Sequence, residues 1–349
     1  MMKVGILGAS GYTGCELLRL LRGHPILSPT VVVGRSDVGK RVSDAFPSLG
    51  AAGELVVSAF SEAHEALVAC DMVFSALPHG ELAALVAAEP KLFSRIPRIV
   101  DLASDFRLRD PAGYRQWYGT HHPCPEELSH WRYSIPEWHR EQVRGATRVA
   151  NAGCFATAYL LGVAPLVRNG LVTGALSGVG ISGTSGAGKS LSARLHFSNL
   201  CEDVVTYRVA GHQHGGEIEE LVGALTDGRY RGPVALTTVL APMSRGLQVI
   251  VTAEGSADCS EPKVRDAMQD AYAGEPFITI CQTPPDTKYV RGAHRAEICA
   301  TYDQRTGLVS VITVIDNLVK GAAGSAIQNA NLMLGIDEEV GLPREGVYP

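Results

Sequence analysis

The chain has 349 residues, of which 46% are hydrophobic and 19% charged, and its formal net charge is −5. This composition is typical of a folded soluble protein of two domains, and the acidic balance argues against nucleic acid as a partner. No apolar run reaches the roughly 20 residues that cross a bilayer, and the N-terminal apolar run is too short for a signal peptide. We therefore expect a cytoplasmic protein that binds neither nucleic acid nor membrane.

The first 150 residues alternate short apolar runs with helical stretches. We predict strands at residues 3–7, 30–33, 72–77 and 98–103, and an amphipathic helix over Tyr12–Leu21. This alternation indicates an α/β fold with a parallel, doubly wound sheet.

Longer runs of β-branched residues follow, with few helices between them. The predicted strands are at residues 175–182, 233–240, 248–253, 277–281, 295–302 and 308–315. This half is expected to form a mixed or antiparallel sheet, and a last helix, at about 317–334, is expected to return to the first domain. The predicted boundaries are a dinucleotide-binding domain at 1–150, a catalytic and substrate domain at 151–315, and a C-terminal helix and tail at 316–349.

A glycine-rich turn, Gly8-Ala-Ser-Gly-Tyr-Thr-Gly14, joins the first strand to the first helix. Such glycines let the main chain turn tightly and approach a pyrophosphate, whose charge is met by free N–H groups at the helix N-terminus. The alternative is a tight connection with no ligand. The residues of the turn that we predict to contact a dinucleotide are Gly8, Ser10, Gly11, Tyr12, Thr13 and Gly14.

The residues after the second strand bear on the choice of cofactor. An NAD site places an acid there, on the ribose hydroxyls, whereas this chain has Arg35 and Ser36, with Asp37 following. Arg35 and Ser36 would suit a 2′-phosphate, so we predict NADP. Asp37 leaves NAD open.

Cys154 is the predicted nucleophile. It follows Gly153 and opens an apolar helix that we expect to run to about Val167. At a helix N-terminus the macrodipole and the unpaired amides favour thiolate, and the same amides can stabilise an oxyanion. The other seven cysteines show no C-x-x-C pair and no zinc spacing, so we expect free thiols, no disulfide framework and no metal.

A proton donor and acceptor for Cys154 is predicted in the segment that contains His212 and His214, just before another helix. Two histidines at this spacing could also bind a metal, but no third ligand is nearby, and a solvated loop histidine is the commonest alternative. The candidates for holding an anionic substrate are Arg107, Arg109 and Arg245.

One motif favours a different class of protein. The segment from Gly183 to Ser190 matches G-x-x-x-x-G-K-S, the phosphate loop of nucleotide hydrolases, with Lys189 as its lysine. The segment lies deep in the second half, and no convincing strand-end Asp for magnesium follows. An anion-binding turn for a phosphorylated substrate explains the same residues.

Taken together and in order, these motifs resemble the N-acetyl-gamma-glutamyl-phosphate reductases over nearly the whole chain. The further segments that carry the resemblance are 76–80 (ALPHG), 101–108 (DLASDFRL), 135–137 (IPE), 241–246 (APMSRG) and 315–321 (IDNLVKG). The resemblance implies a Rossmann dinucleotide-binding domain followed by an α+β catalytic domain of the glyceraldehyde-phosphate and aspartate-semialdehyde dehydrogenase type. It also implies NADPH, a homodimer or homotetramer, and that the loop from Ser182 to Gly188 is the family's own.

The resemblance assigns roles to residues as well. It implies Cys154 as nucleophile on the acyl phosphate, a thioester that accepts hydride, and His212 as acid/base with His214 second. Implied substrate contacts are Arg107, Arg245, Ser185, Gly186 and Lys189, and implied cofactor contacts include Leu77, Pro78 and Asn317.

The departures from the family concern the substrate. The segment around Cys154 lacks two prolines and a tyrosine hydroxyl that are usual there, and Gln213 stands where an arginine is usual. A related branch that reduces acyl phosphates linked to an amino-group carrier protein also lacks the prolines, and it is our alternative. A third alternative, a dinucleotide-binding redox sensor, leaves Cys154 and the histidines unexplained.

Overall fold

The computed structural model describes residues 1–348 and divides them into two compact units. The first unit comprises Met1–Gly153 and Ala322–Leu342. The second comprises Cys154–Gly321 together with the residues that follow Leu342. We predicted boundaries at 150 and 315. In the structure, residues 316–321 belong to the second unit. The residues after Leu342 also belong to it, because Val347 N donates to Arg291 O and His294 N donates to Pro343 O.

The chain forms thirteen strands and twelve α-helices within the described residues. The strands are β1 (Met2–Leu7), β2 (Leu27–Val33), β3 (Met72–Ser75), β4 (Ile99–Asp101), β5 (Arg132–Ser134), β6 (Arg148–Asn151), β7 (Val172–Ser182), β8 (Val205–Arg208), β9 (Val234–Leu240), β10 (Leu247–Gly255), β11 (Ile278–Ile280), β12 (Ala296–Asp303) and β13 (Leu308–Ile315). The helices are α1 (Tyr12–Leu21), α2 (Val42–Ala45), α3 (His64–Val68), α4 (Glu81–Ala88), α5 (Pro90–Arg95), α6 (Pro111–Tyr118), α7 (Pro136–Val143), α8 (Cys154–Arg168), α9 (Phe197–Leu200), α10 (His214–Leu225), α11 (Glu261–Ala271) and α12 (Gly324–Leu334).

The first unit is built on a six-stranded sheet in the order β2-β1-β3-β4-β6-β5, and all its pairings are parallel. The central strands β3 and β4 are buried along their whole length, as in a sheet covered on both faces. The strand order turns back between β1 and β3, which is where a doubly wound sheet binds its ligand. The predicted parallel sheet is confirmed, and α1 has the predicted bounds.

The second unit is built on a seven-stranded mixed sheet in the order β11-β12-β13-β10-β7-β9-β8. The antiparallel core β12-β13-β10-β7 alternates buried and less buried residues, since one face packs against helices. Helix α8 is the main cover: residues 155–167 are all buried. Gly178 and Gly180 of β7 make this packing close, because a Cβ at either glycine would collide with the ring of Tyr159 or Phe155.

Three strands were not predicted: β5, β6 and β8, each of three or four residues. The predicted last helix begins late, since one π-helical turn over Val319–Ala323 precedes α12. Within the first unit, α12 packs on α7, β4 and β6. None of the helices among residues 1–348 combines the length and the apolar character that crossing a membrane requires.

Candidate active site

Cys154 is the first residue of α8, and its side chain is partly exposed whereas the helix behind it is buried. The preceding strand β6 ends at Asn151, so the nucleophile follows a strand directly. The first amides of a helix have no partner within the helix, and they carry the positive end of its dipole. Their position favours an anion at Cys154, whether the thiolate itself or an oxyanion formed by its attack.

Arg107, a predicted substrate contact, binds main-chain carbonyls within the first unit. Its side chain is buried, and its guanidinium donates from Nε to Asn151 O at 2.9 Å and from Nη2 to Leu102 O at 2.7 Å. Both acceptors are main-chain carbonyls of the first unit. Arg107 therefore anchors the end of β6, three residues before the nucleophile, and a direct contact with substrate stays a prediction. Arg109 is exposed.

The main chain at Gly321 presses against the nucleophile. A Cβ at this position would lie 2.7 Å from Cys154 Cβ and 3.3 Å from Cys154 Cα. Both atoms belong to the backbone end of Cys154 and cannot rotate away. The glycine at the end of the 315–321 segment thus allows a close approach that holds Cys154 in place.

His212 and His214 lie together, with ring centroids 4.7 Å apart, and both are buried. The ring of Phe155, next to the nucleophile, lies 5.3 Å from that of His212 and 6.0 Å from that of His214. His214 N donates to His212 Nδ1 at 3.2 Å. A neutral His212 that accepts at Nδ1 must carry its proton on Nε2.

Burial lowers the pKa of His212 to about 3, and the neighbouring His214 adds to the effect. His212 is therefore neutral near pH 7. The residue that precedes Gly211 and His212, Ala210, has a φ of 54°, which is uncommon for a residue with a side chain and marks local strain.

One cavity of about 480 Å³ in the second unit brings Cys154 together with both histidines. Its remaining lining residues are Phe155, Ser182, Gly186, Ala187, Ser190, Leu191, Ser192, Arg194, Leu195, Tyr207, Arg208, Gln213 and Leu240. The size suits a small-molecule substrate. The cavity thus combines a helix-terminal thiol, a neutral imidazole and a hydroxyl-rich loop.

The loop that matches the nucleotide-hydrolase motif has another structure here. It follows β7, whose neighbours are the antiparallel β10 and the parallel β9, and one 3₁₀ turn over Thr184–Ala187 comes next. No α-helix begins at Lys189 or Ser190 in the described chain, although a phosphate loop requires one. Gly186 lines the cavity, whereas Lys189 is exposed and is not among its lining residues.

Asn317 ties this loop to its neighbours. Its Nδ2 donates to Ser185 Oγ at 2.9 Å, and its Oδ1 accepts from Gly246 N at 2.9 Å. Ser185 and Asn317 therefore support the loop within the second unit. Their predicted contacts with substrate and cofactor stay predictions.

Arg245 is paired with a carboxylate of the protein. Its Nε and Nη2 donate to Asp316 at 3.0 and 3.1 Å, in a two-pronged geometry. Asp316 is fully buried and also accepts from the main-chain N–H groups of Gly292, Leu318 and Val319. This arrangement gives Arg245 a structural partner, and its predicted contact with a substrate anion stays a prediction.

The glycine-rich turn of the first unit fits a dinucleotide. Gly8 has a φ of 84°, and a Cβ there would collide with Ala76 O, while a Cβ at Gly14 would lie 2.5 Å from Gly8 O. Gly11 is different, because its Cβ would meet a single atom, Gly8 O, at 3.5 Å. Packing therefore explains Gly8 and Gly14 but not Gly11, whose missing side chain leaves the N-terminus of α1 open to a pyrophosphate.

The loop after β2 carries the predicted 2′-phosphate contacts. Ser10 Oγ donates to Ser36 O at 3.0 Å, which links this loop to the glycine-rich turn. Arg35 is exposed, and its Nη1 lies 2.6 Å from Glu81 Oε1. An exposed ion pair of this kind is weak, so Arg35 can turn to a phosphate. Leu77 and Pro78 follow β3, beside the turn.

Comparison with known proteins agrees with these two units. The family described as semialdehyde dehydrogenase, NAD binding domain, matches residues 3–146, and that described as semialdehyde dehydrogenase, dimerisation domain, matches residues 154–317. Aspartate semialdehyde dehydrogenase II of Vibrio cholerae has a similar fold, with a TM-score of 0.72 at 17% identity over 96% of this chain and 98% of that one. The corresponding enzyme of Candida albicans, solved with NADP, has a TM-score of 0.69 at 17% identity, over 96% and 98% of the two chains. The fold and the matches define the class as the semialdehyde dehydrogenases.

Sequence relatives narrow the class. The chain is 42% identical to the N-acetyl-gamma-glutamyl-phosphate reductase of Geobacillus stearothermophilus over 354 residues, which is 100% of both chains. It is 40% identical to that of Thermus thermophilus over 99% of this chain and 100% of the relative. The chain belongs to the N-acetyl-gamma-glutamyl-phosphate reductase family.

The cavity residues that were not predicted as parts of a site include Tyr207, Arg208 and Arg194. Tyr207 faces His212 at a ring-centroid distance of 5.9 Å, and burial raises its pKa to about 12. Tyr207 and Arg208 lie on the short strand β8, and a prediction of that strand just before the histidines would have pointed to them. Arg194 carries no local signal.

Proposed function

We propose that this chain catalyses the NADPH-dependent reduction of N-acetyl-gamma-glutamyl phosphate to N-acetylglutamate semialdehyde, with release of phosphate, in arginine biosynthesis. The observation that carries the proposal is the placing of Cys154, at the N-terminus of α8, on one cavity with the neutral imidazole of His212. The full-length relatives named for this reaction support it.

Cys154 starts the reaction as a thiolate. It attacks the acyl phosphate carbonyl, the carbonyl π bond opens to an oxyanion, and its collapse expels phosphate and leaves a thioester. The main-chain amides at the start of α8 stabilise the oxyanion. Covalent capture also keeps the acyl group at the site for the next step.

Bound NADPH supplies the hydride that reduces the thioester carbonyl, and the glycine-rich turn with Arg35 and Ser36 would hold that cofactor. The resulting thiohemiacetal oxyanion must then be stabilised and collapse. His212 carries a proton on Nε2 and lines the cavity, so it donates a hydrogen bond to this oxygen. Collapse of the oxyanion re-forms the carbonyl, breaks the carbon–sulfur bond, and releases the semialdehyde with Cys154 again as the thiolate. His214 orients His212 through its main-chain N–H.

A test compares substrates in the reverse direction, in which the semialdehyde, NADP and phosphate form NADPH. N-acetylglutamate semialdehyde is expected to react with a higher kcat/KM than the N-acetylated 2-aminoadipate analogue or an aldehyde linked to an amino-group carrier protein. A higher rate with the carrier-linked aldehyde would favour the alternative branch instead.

Two serine variants separate the nucleophile from a general effect of thiol loss. Cys154→Ser is expected to remove several orders of magnitude of turnover, because a hydroxyl is scarcely ionised at neutral pH. Cys201→Ser changes an exposed cysteine of the same unit and is expected to keep wild-type turnover. We further propose a homodimer or homotetramer in the cytoplasm, and the dimerisation-domain match supports the assembly.

A further inference from the structure

Two arginines on the cavity beside Cys154 have no role in the mechanism above. Arg194 and Arg208 both line that cavity, and both are exposed. Among residues 1–348 neither forms an ion pair with a carboxylate, unlike Arg245, which is bound to Asp316. Two guanidinium groups at a catalytic cavity without protein anions are well placed to bind anions of a ligand.

The proposed substrate carries two anionic groups, and they have different tasks. The phosphate is bonded to the reacting carbonyl carbon and leaves during the reaction. The α-carboxylate is separated from that carbon by three carbon atoms and stays on the product. A site that distinguishes this substrate from simpler aldehydes needs a separate cation for the carboxylate.

The two arginines differ in their setting. Arg208 ends β8, a strand paired with β9 through the register of Arg208 with Thr238, and it directly follows Tyr207, whose ring faces His212. Pairing with β9 fixes the main chain of Arg208 at a defined position beside the cavity. Arg194 instead continues the loop that lines the cavity with Gly186, Ser190 and Ser192. Hydroxyl groups and main-chain amides on a glycine-rich loop are typical ligands of phosphate.

We propose that Arg208 binds the α-carboxylate of the substrate and thereby selects it, whereas Arg194 binds the phosphate. This assignment rests on the proposed reaction and deepens it. Gln213 is consistent with this assignment. It lies between the two histidines and is uncharged, so the cation that the cavity has next to them is Arg208.

The experiment measures the reverse reaction with two aldehydes, N-acetylglutamate semialdehyde and 4-acetamidobutanal, which is the same molecule without its α-carboxylate. Wild-type enzyme is expected to prefer the carboxylate substrate. Arg208→Gln is expected to lower kcat/KM for that substrate about 10- to 100-fold, the loss of one charge-assisted contact, and to leave 4-acetamidobutanal nearly unchanged. Arg208→Lys is expected to recover part of the preference.

The second arginine is tested by varying phosphate. Arg194→Gln is expected to raise the KM for phosphate about 10-fold or more while the preference between the two aldehydes stays as in the wild type. Arg265→Gln is the matched control, because it removes an exposed arginine of the same unit that is not among the cavity residues. It is expected to change neither quantity.

An Arg208→Gln enzyme that retains the wild-type preference between the two aldehydes overturns the assignment, and so does one that loses both substrates equally. An exchange of the two effects, with Arg208→Gln acting on phosphate, also overturns it. Each of these outcomes requires that the wild-type protein turns over N-acetylglutamate semialdehyde. A wild-type protein without that activity would instead refute the proposed function.

Discussion

Replacing Gly321 by alanine should displace the nucleophile without removing any functional group. The added Cβ would lie 2.7 Å from Cys154 Cβ, whereas ordinary contacts begin at 3.4 Å. The main-chain segments that carry Gly321 and Cys154 must therefore separate by about 0.7 Å. Overpacking of this size costs about 1–3 kcal/mol of stability. A shift approaching 1 Å at a reacting atom costs about 100-fold in rate, so we expect kcat to fall about 10- to 100-fold.

The assay is kcat for NADPH formation from saturating semialdehyde, together with thermal unfolding and NADPH binding by titration. NADPH affinity is expected to be unchanged, since Gly321 belongs to the second unit. Gly223→Ala is the control, because this glycine lies in α10 of the same unit and a Cβ there would have no neighbour within 4 Å. A Gly321→Ala enzyme with wild-type kcat would refute the reasoning that this contact positions Cys154.

Three further predictions concern His212, Arg245 and Arg35. The pKa of His212 is lowered to about 3 in the folded protein, so only the unfolded chain binds a proton at this residue as pH falls below about 6.5, and the free energy of unfolding decreases by about 2 kcal/mol at pH 5. In urea unfolding, His212→Gln should therefore lose less stability between pH 7 and 5 than the wild type. An equal loss of stability in the two proteins would contradict the account. Arg245→Ala leaves the buried carboxylate of Asp316 without its cation and is expected to cost about 3–5 kcal/mol of unfolding free energy. A stable variant with only a raised substrate KM would contradict this structural role and support the predicted substrate contact. Arg35→Ala is expected to weaken NADPH binding about 5- to 100-fold and leave NADH unaffected, so equal losses for both cofactors in a titration would argue against a 2′-phosphate contact.

Local sequence patterns were sufficient to predict the bounds of those helices and strands that are marked by their own residues and immediate neighbours. Helix α1 and strand β13 have the predicted bounds, because each shows clear hydrophobic periodicity and a glycine, Gly11 or Gly307, directly precedes it. Cys154 was predicted as the nucleophile from its immediate neighbours, a glycine before it and an apolar helix after it, and the structure does begin α8 at this residue. Strand β8 was missed because its four residues alternate only between half-buried and exposed, which gives no hydrophobic signal.

The partners of the charged residues could not be predicted from the sequence, because these residues pair with groups far away along the chain. Arg245 finds its partner Asp316 71 positions further along the chain, and no spacing rule connects the two. Arg107 serves main-chain carbonyls, which have no sequence signature. Arg194 and Arg208 reach one cavity only because a loop and an edge strand meet there. Sequence patterns thus single out candidate reacting groups, whereas the partners of the cations around them are set by the fold.

The most direct test of the central claim, a thioester on Cys154, is a reaction without phosphate. Enzyme, N-acetylglutamate semialdehyde and NADP are mixed rapidly, and NADPH absorbance is followed while the protein is quenched for mass spectrometry. We predict a burst of about one NADPH per subunit and an N-acetylglutamyl adduct on the peptide that contains Cys154, which phosphate then removes. Formation of NADPH with no adduct, or with the adduct on another residue, would contradict the account.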